Sequence, residues 1–504
     1  IGTRCSQMEN SSQSERKKSV LGAITTNKLA EMLKNIDISS IKETNGGYNA
    51  RARILALFDM GTFAETGAYI VRRGSSDDPA EAFESVITGY GAVGGRLVYA
   101  FVQDISRMKG AFDSIAAEKI NTLIDLAVRN GAPVVGIFDS CGASVYEGVR
   151  VMAAYGSVMT HIFAARGIIP LIAVIPGVCG GGMAALASSF DFVLSIDGQS
   201  EFYVVPPFIS GEASSDGSSV ADITVADEDE LYVRVRELLG YLPSNCSEGS
   251  RMSDTPVYDR ETPAELASRD SYDAKRLVAS IADGESFVGL RQRISPELIT
   301  GLAYVGGICC GIMANDPSVK NGDMTVAACR SAEKLVRFCD SFGIPLIAIA
   351  NGTGVSDKES DSAEYSSAIA ALYGALTTSE NAKVSVVTGN AYGMGFTLMA
   401  SKATGADIAF ALTDSCISPM SPESAVAFLW NDRICDNDVT VTREQLEKEW
   451  RENNASPNDA ALCGQVDDII APHELRPRIV SAVSMLAAKS RIVPVHRREG
   501  RRSR

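Results

Sequence analysis

Histidine is nearly absent: His161, His473 and His496 are the only three in 504 residues. None has a carboxylate or cysteine at ligand spacing, which argues against a zinc centre and against chemistry built on an imidazole base. The eleven cysteines include no Cys-x-x-Cys pair. Most sit in apolar runs such as 308–312, where a thiol packs as a small hydrophobe, so they read as reduced and buried, and no metal is expected. Long apolar runs are missing too. The longest, 167–178, is broken by Pro170 and Pro176 and falls short of the roughly 20 residues that span a membrane. The first twenty residues carry Arg4, Glu9, Glu15, Arg16, Lys17 and Lys18 without the apolar stretch of a secretory leader, so a cytoplasmic location is expected. Positive charge is short as well. Forty-seven Lys and Arg face 62 Asp and Glu, a net charge of −15, which argues against nucleic acid or an anionic membrane as principal partner.

Several nucleotide and nucleophile motifs are also missing. There is no Walker A sequence and no G-x-S-x-G elbow, and the run Asp139-Ser-Cys-Gly142 has no nearby base for Ser140 or Cys141. A literal G-x-G-x-x-G at Gly89, Gly91 and Gly94 joins two strand-like runs instead of a strand and a helix, so the dinucleotide reading fails. The acidic run Asp227-Glu-Asp-Glu230 reads as the solvated start of a helix.

What remains is an ordinary globular composition, 45% hydrophobic and 22% charged, on a chain long enough for two or three domains. Short β-branched runs (97–103, 134–138) alternate with Ala-rich helical runs (118–128, 149–165), which is α/β patterning. Polar tails are expected at 1–25 and 493–504. A polar, Pro-bearing stretch at 246–270 divides an N-terminal domain, 26–245, from a C-terminal domain, 271–492.

The two domains repeat one pattern. Gly131-Ala-Pro-Val-Val-Gly-Ile-Phe-Asp-Ser-Cys-Gly142-Ala aligns with Gly343-Ile-Pro-Leu-Ile-Ala-Ile-Ala-Asn-Gly-Thr-Gly354-Val, and Cys179-Gly-Gly181-Gly182-Met aligns with Ala391-Tyr392-Gly393-Met-Gly395. The offsets agree: 354 minus 142 and 393 minus 181 both give 212. Such self-similarity marks an internal duplication. Glycine at a strand end leaves backbone N–H groups uncovered by a side chain, and a following helix start favours negative charge. Two such loops make an oxyanion hole, whose loss costs roughly 3 to 4 kcal/mol of transition-state stabilisation.

Further segments carry a resemblance: Tyr241-Leu-Pro-Ser-Asn245, Val336-Arg-Phe-Cys-Asp340, Lys383-Val-Ser-Val-Val-Thr388, Gly95-Arg-Leu-Val-Tyr-Ala-Phe-Val-Gln-Asp104 and Gly464-Gln-Val-Asp-Asp-Ile-Ile470. Over residues 45–492 the chain resembles the carboxyltransferase subunits of biotin-dependent acyl-CoA carboxylases and decarboxylases. The resemblance implies two tandem crotonase-like α/β domains, the first binding acyl-CoA and the second biotin, with the active site at an antiparallel dimer interface and hexamers as trimers of dimers. It implies that Gly142, Ala143, Gly181 and Gly182 hold the thioester oxygen, and that Gly354, Tyr392 and Gly393 bind biotin. Carboxybiotin would release CO2, its freed nitrogen would take the acyl α-proton, and the enolate would attack CO2.

No Met-Lys-Met attachment site occurs, so biotin is expected on a partner, a biotin carboxyl carrier protein, alongside a biotin carboxylase or a membrane decarboxylase subunit. A short-chain substrate such as propionyl-CoA or methylmalonyl-CoA is implied. The sequence departs from the family pattern at Cys141 and Ser144, at Val205-Pro-Pro207, and at Ser367 and Ala371, where cations are usual. These departures keep two other readings open: a non-catalytic crotonase-fold subunit of the same complex, or another crotonase-type acyl-CoA enzyme such as a hydratase or thioesterase.

Overall fold

The computed structural model describes residues 48–68, 70, 85–211, 215–253, 272–356, 363–399, 401–431, 433 and 442–489. Both expected tails, and residues 254–270 of the expected linker, lie outside the described residues.

The first half is a seven-stranded sheet whose strands lie in sequence order: β1 (Ala64–Thr66), β2 (Val86–Val93), β3 (Arg96–Gln103), β4 (Val134–Ile137), β5 (Leu171–Ile175), β6 (Phe192–Ile196) and β7 (Ile223–Val225). The first two pairings are antiparallel and the rest parallel. Its helices are α1 (Ala50–Leu57), α2 (Ser114–Asn130), α3 (Val149–Ala165), α4 (Gly182–Ser188) and α5 (Glu228–Tyr241). The second half repeats this order with β8 (Val288–Leu290), β9 (Leu298–Val305), β10 (Ile308–Asn315), β11 (Leu346–Gly352), β12 (Lys383–Tyr392), β13 (Ile408–Leu412) and β14 (Asp468–Ile470). Again two antiparallel pairings precede four parallel ones. Its helices include α6 (Ala274–Ile281), α7 (Val326–Phe342), α8 (Ala363–Thr378) and α9 (Gly393–Leu398).

Local chemistry explains these elements. β4 and β5 read Val-Val-Gly-Ile and Leu-Ile-Ala-Val-Ile and are buried throughout, as parallel strands covered on both faces must be. Asp113 caps α2 by accepting the Ala116 N–H at 2.8 Å, and Gly131 ends it in the left-handed region at φ 61°. Thr325 and Gly343 (φ 64°) do the same for α7. Both caps lie 212 residues apart, and so do three further pairs of left-handed positions, Gly94 and Gly306, Lys109 and Asn321, Gly110 and Gly322. The duplication is therefore written into the backbone as well as the sequence.

The G-x-G-x-x-G run lies in a β-hairpin. Gly89 and Gly91 are inside β2, where a Cβ would come within 2.5 Å of Phe63 and 2.8 Å of Phe58, and Gly94 is in the turn to β3. The two halves share apolar core that includes Val98, Leu194 and Val235 of the first with Leu302, Leu335 and Phe338 of the second. Phe192 packs edge-on to Phe338 at 4.6 Å between ring centroids, and buried Asp222 accepts from Lys334 Nζ at 2.6 Å and Arg291 Nη1 at 3.4 Å.

Candidate oxyanion cradles

In the first half two loops meet at the ends of β4 and of the short strand Val178–Gly180. The ladder between them is tight: Ser140 N–H donates to Val178 O at 2.7 Å, and Gly180 N–H returns to Ser140 O at 2.9 Å. Gly142, at φ 124°, lies where an L side chain is strained. A Cβ on Gly181 (φ 63°) would sit 3.7 Å from Gly142 Cα, so the loops touch.

The four predicted glycine-loop residues come together here, but their amides differ. The Gly142 N–H is taken up by Ser140 Oγ at 3.1 Å, and the Gly181 N–H by Tyr203 O at 2.8 Å. The N–H groups of Ala143 and Gly182 have no partner among the described residues. Two adjacent unpartnered donors are what a developing oxyanion requires. Glycine at 182 is enforced by packing, because a Cβ there would lie 2.6 Å from the Tyr155 ring.

The second half rebuilds this shape. Gly354 has φ 125°, within a degree of Gly142, and Gly393 has φ 50°. Met324 N–H donates to Gly354 O at 2.9 Å, as Phe112 N–H does to Gly142 O at 2.9 Å. A Cβ on Gly395 would lie 2.7 Å from Gly354 Cα, so the cradle exists only because side chains are absent. Val355 and Met394 are the counterparts of Ala143 and Gly182, and their N–H groups have no partner among the described residues. Sequence reading named Gly354, Tyr392 and Gly393 but not these two neighbours. Gly352 replaces Ser140, so the hydroxyl that occupies the Gly142 amide has no counterpart, and the Gly354 N–H also has no partner among the described residues. Tyr392 is buried behind this cradle with Cys416 and Trp450, and its hydroxyl donates to Asn390 Oδ1 at 3.0 Å. Donors without acceptors around an open glycine cradle fit an oxygen that gains negative charge.

Side chains with acid–base capacity are muted here. Burial pushes the Cys179 thiol well above its usual range, and burial likewise raises Tyr155, so both stay protonated at neutral pH. The Tyr155 hydroxyl is buried without a hydrogen-bond partner among the described residues. Cys141 and Cys463 are exposed, contrary to the general expectation of buried thiols, whereas Cys179, Cys309, Cys310, Cys329, Cys339 and Cys416 are buried. A second correction concerns Glu228. Sequence reading put it in a solvated helix start, but it is buried, and its Oε1 accepts from Arg53 Nε at 2.7 Å. Asp227 and Asp229 are exposed as expected, and Asp227 caps α5 by accepting the Glu230 N–H at 2.8 Å.

Duplicated α/β halves, each carrying a cradle of backbone donors, define the class: a protein of tandem crotonase-like domains. The chain belongs to the carboxyl transferase family, whose sequence model, described as a carboxyl transferase domain, matches residues 42–501. It is an acyl-CoA carboxyltransferase. It is 32% identical to the methylmalonyl-CoA decarboxylase subunit alpha of Propionigenium modestum, over 90% of this chain and 93% of that protein. It is 31% identical to the propionyl-CoA carboxylase beta chain of Cereibacter sphaeroides, over 88% of this chain and 91% of that one. Among solved structures, the transcarboxylase 12S hexamer core with bound hydrolysed methylmalonyl-coenzyme A matches with a TM-score of 0.85 and 27% identity, covering 94% of this chain and 97% of that one.

Proposed function

We propose that this chain is the carboxyltransferase subunit of a biotin-dependent complex and moves a carboxyl group between carrier-borne biotin and a short-chain acyl-CoA of the propionyl or methylmalonyl type. The observation that carries the reading is the pair of unpartnered amides, Ala143 and Gly182, repeated as Val355 and Met394. In this reading Gly142 and Gly181 shape the first cradle for the thioester oxygen. Gly354, Tyr392 and Gly393 shape the second for the ureido oxygen. The two units are 26–245 and 271–492.

When bound, biotin supplies the carboxyl group and the ring nitrogen that accepts the α-proton. The chain's own part is electrostatic. Ala143 and Gly182 N–H groups hold the thioester oxygen as negative charge develops on it, and preorganised donors of this kind are worth roughly 3 kcal/mol each. No side-chain base is needed, which agrees with protonated Tyr155 and Cys179 beside the site. Hydration or thioester hydrolysis would need a free carboxylate there. Asp139, beside the first cradle, is instead engaged by Arg53 and the Val178 N–H.

Partners follow from what the chain exposes. Val145, Tyr146, Val149 and Met152 are 70–87% exposed just after the first cradle, and Phe428 and Leu462 are 77% and 86% exposed in the second half. Apolar surface of this kind is normally covered, and a second copy in an antiparallel dimer, built up to a hexamer, is the occupant we infer. A biotin carrier with a biotin carboxylase or a membrane decarboxylase subunit completes the complex. No helix among the described residues is long and apolar enough to cross a membrane, and the proposed location is the cytoplasm.

The test is biotin-dependent decarboxylation: purified protein, free biotin, and malonyl-CoA or methylmalonyl-CoA. Carbon dioxide release that requires biotin is expected. Assembly with a biotinylated carrier but no turnover would favour the non-catalytic subunit instead, for which the exposed Ser367, lacking the cation usual in the family, is the motivating observation.

A further inference from the structure

The first cradle hangs from one buried carboxylate that the proposed reaction does not use. Asp139 lies two residues beyond the end of β4 and precedes the loop that carries Ala143. Its Oδ1 accepts the N–H of Val178 at 3.1 Å, and Val178 opens the strand that runs into Gly181 and Gly182. Both donor loops are thus tethered through the same side chain. Its Oδ2 accepts from Arg53 Nη1, while Arg53 Nε donates to Glu228 Oε1 at 2.7 Å and the Tyr232 hydroxyl donates to that same oxygen at 3.2 Å. Arg53, Asp139 and Glu228 are only 6%, 2% and 8% exposed. Burial by itself disfavours the charged guanidinium, but Asp139 and Glu228 outweigh it and keep Arg53 charged.

The second half shows what this tether needs. Asn351 stands at the position of Asp139, and its Oδ1 accepts the Asn390 N–H at 3.0 Å. Its neighbour is uncharged as well: partly buried Tyr272 lies beside Asn351 and meets Thr388 Oγ1 at 3.1 Å. An acceptor oxygen at this point is therefore common to both cradles, whereas the charge belongs to the first alone. A carboxylate under a nascent oxyanion would oppose it by Coulomb repulsion unless a cation lay beside it.

We infer that Asp139 is a positioning residue for the acyl-CoA oxyanion, clasped by Arg53 and Glu228 so that the Ala143 and Gly182 amides keep their mutual geometry. This inference rests on the reading of those two amides as the thioester donors. It makes a specific demand on substitutions. Asp139→Ala removes the tether. Asp139→Asn keeps an oxygen for Val178 but turns an NH2 group toward the Arg53 guanidinium, donor against donor. The double variant Arg53→Gln with Asp139→Asn restores a donor–acceptor chain, because the glutamine oxygen accepts from the amide introduced at position 139 while its own NH2 donates to Glu228.

The experiment measures biotin-dependent decarboxylation by the full-length protein. Displacing a donor by about 1 Å costs about 100-fold in rate, so Asp139→Ala is expected to lose about 100-fold in kcat with the acyl-CoA KM within about threefold. Asp139→Asn should fall between, and the double variant should recover to within about fivefold of wild type. The two tryptophans, Trp430 and Trp450, both lie in the second half, so their fluorescence reports whether that half stays folded. If Asp139→Ala does not fold, the double variant decides: recovery relative to Asp139→Asn supports the clasp, and a folded double variant no faster than Asp139→Asn overturns it. Gly182→Val is measured alongside. An inactive Gly182→Val with a fully active Asp139→Ala overturns the clasp alone, whereas an active Gly182→Val overturns the donor reading and the clasp with it.

Discussion

At the scale of single residues the account depends on backbone positions that no side chain can replace. Gly182→Val should place methyl groups against the Tyr155 ring, which already stands 2.6 Å from a notional Cβ, and block the donor. We expect kcat to fall by about 10²–10³ while the circular dichroism spectrum is retained. Gly393→Val should do the same from the proposed biotin side, because φ 50° disfavours a β-branched residue. Tyr155→Phe is a control with the opposite expectation. Its hydroxyl is buried without a partner among the described residues, so removing it should leave kcat unchanged and stability equal or higher by up to about 1 kcal/mol. A large loss of activity in Tyr155→Phe would make that hydroxyl a participant. Sequence reading reached the glycines because left-handed conformations leave a trace in residue type. It could not reach Ala143 and Gly182 as the free donors, since that depends on Ser140 Oγ and Tyr203 O occupying the neighbouring amides.

At the scale of elements, the strands and the paired helix ends were legible: buried parallel strands read as continuous apolar runs, and caps such as Asp113 with Gly131 have chemical signatures. Contacts between distant elements were not. The Arg53–Glu228 pair joins α1 to α5 across 175 residues, and an acidic run before a helix looks the same whether solvated or buried. Lys383, at the start of β12, is another such case. Its ammonium is buried, donating to Leu376 O at 2.7 Å and Ser379 O at 2.9 Å. Burial, with the like charge of Lys489, lowers its pKa from 10.5 to about 8. The unfolded chain then holds more protons than the folded one between those values, so this residue makes stability rise as pH increases from about 8 toward 10.5, and its penalty is fully present below that window. The urea midpoint should show this rise in the wild type and lose it in Lys383→Met; an unchanged slope in the variant would contradict it.

At the scale of the whole molecule, two copies of one topology share core and a charged clamp. Asp222 of the first half accepts from Val193 N–H at 2.7 Å as well as from Lys334 and Arg291 of the second. Asp222→Ala should strand these donors and cost about 3 kcal/mol, read as a lower melting temperature in calorimetry; a change within error would deny the clamp any part in joining the halves. Duplication also gives the architecture its chemical sense. On the proposed reading, two substrates each bring an oxygen that becomes negative, and each half offers its own pair of amides. The most direct test is a crystal structure of the protein with methylmalonyl-CoA bound. The account predicts the thioester oxygen between the Ala143 and Gly182 nitrogens, about 2.7–3.1 Å from each. A thioester bound elsewhere, with those amides facing solvent or capped by protein atoms, would contradict it.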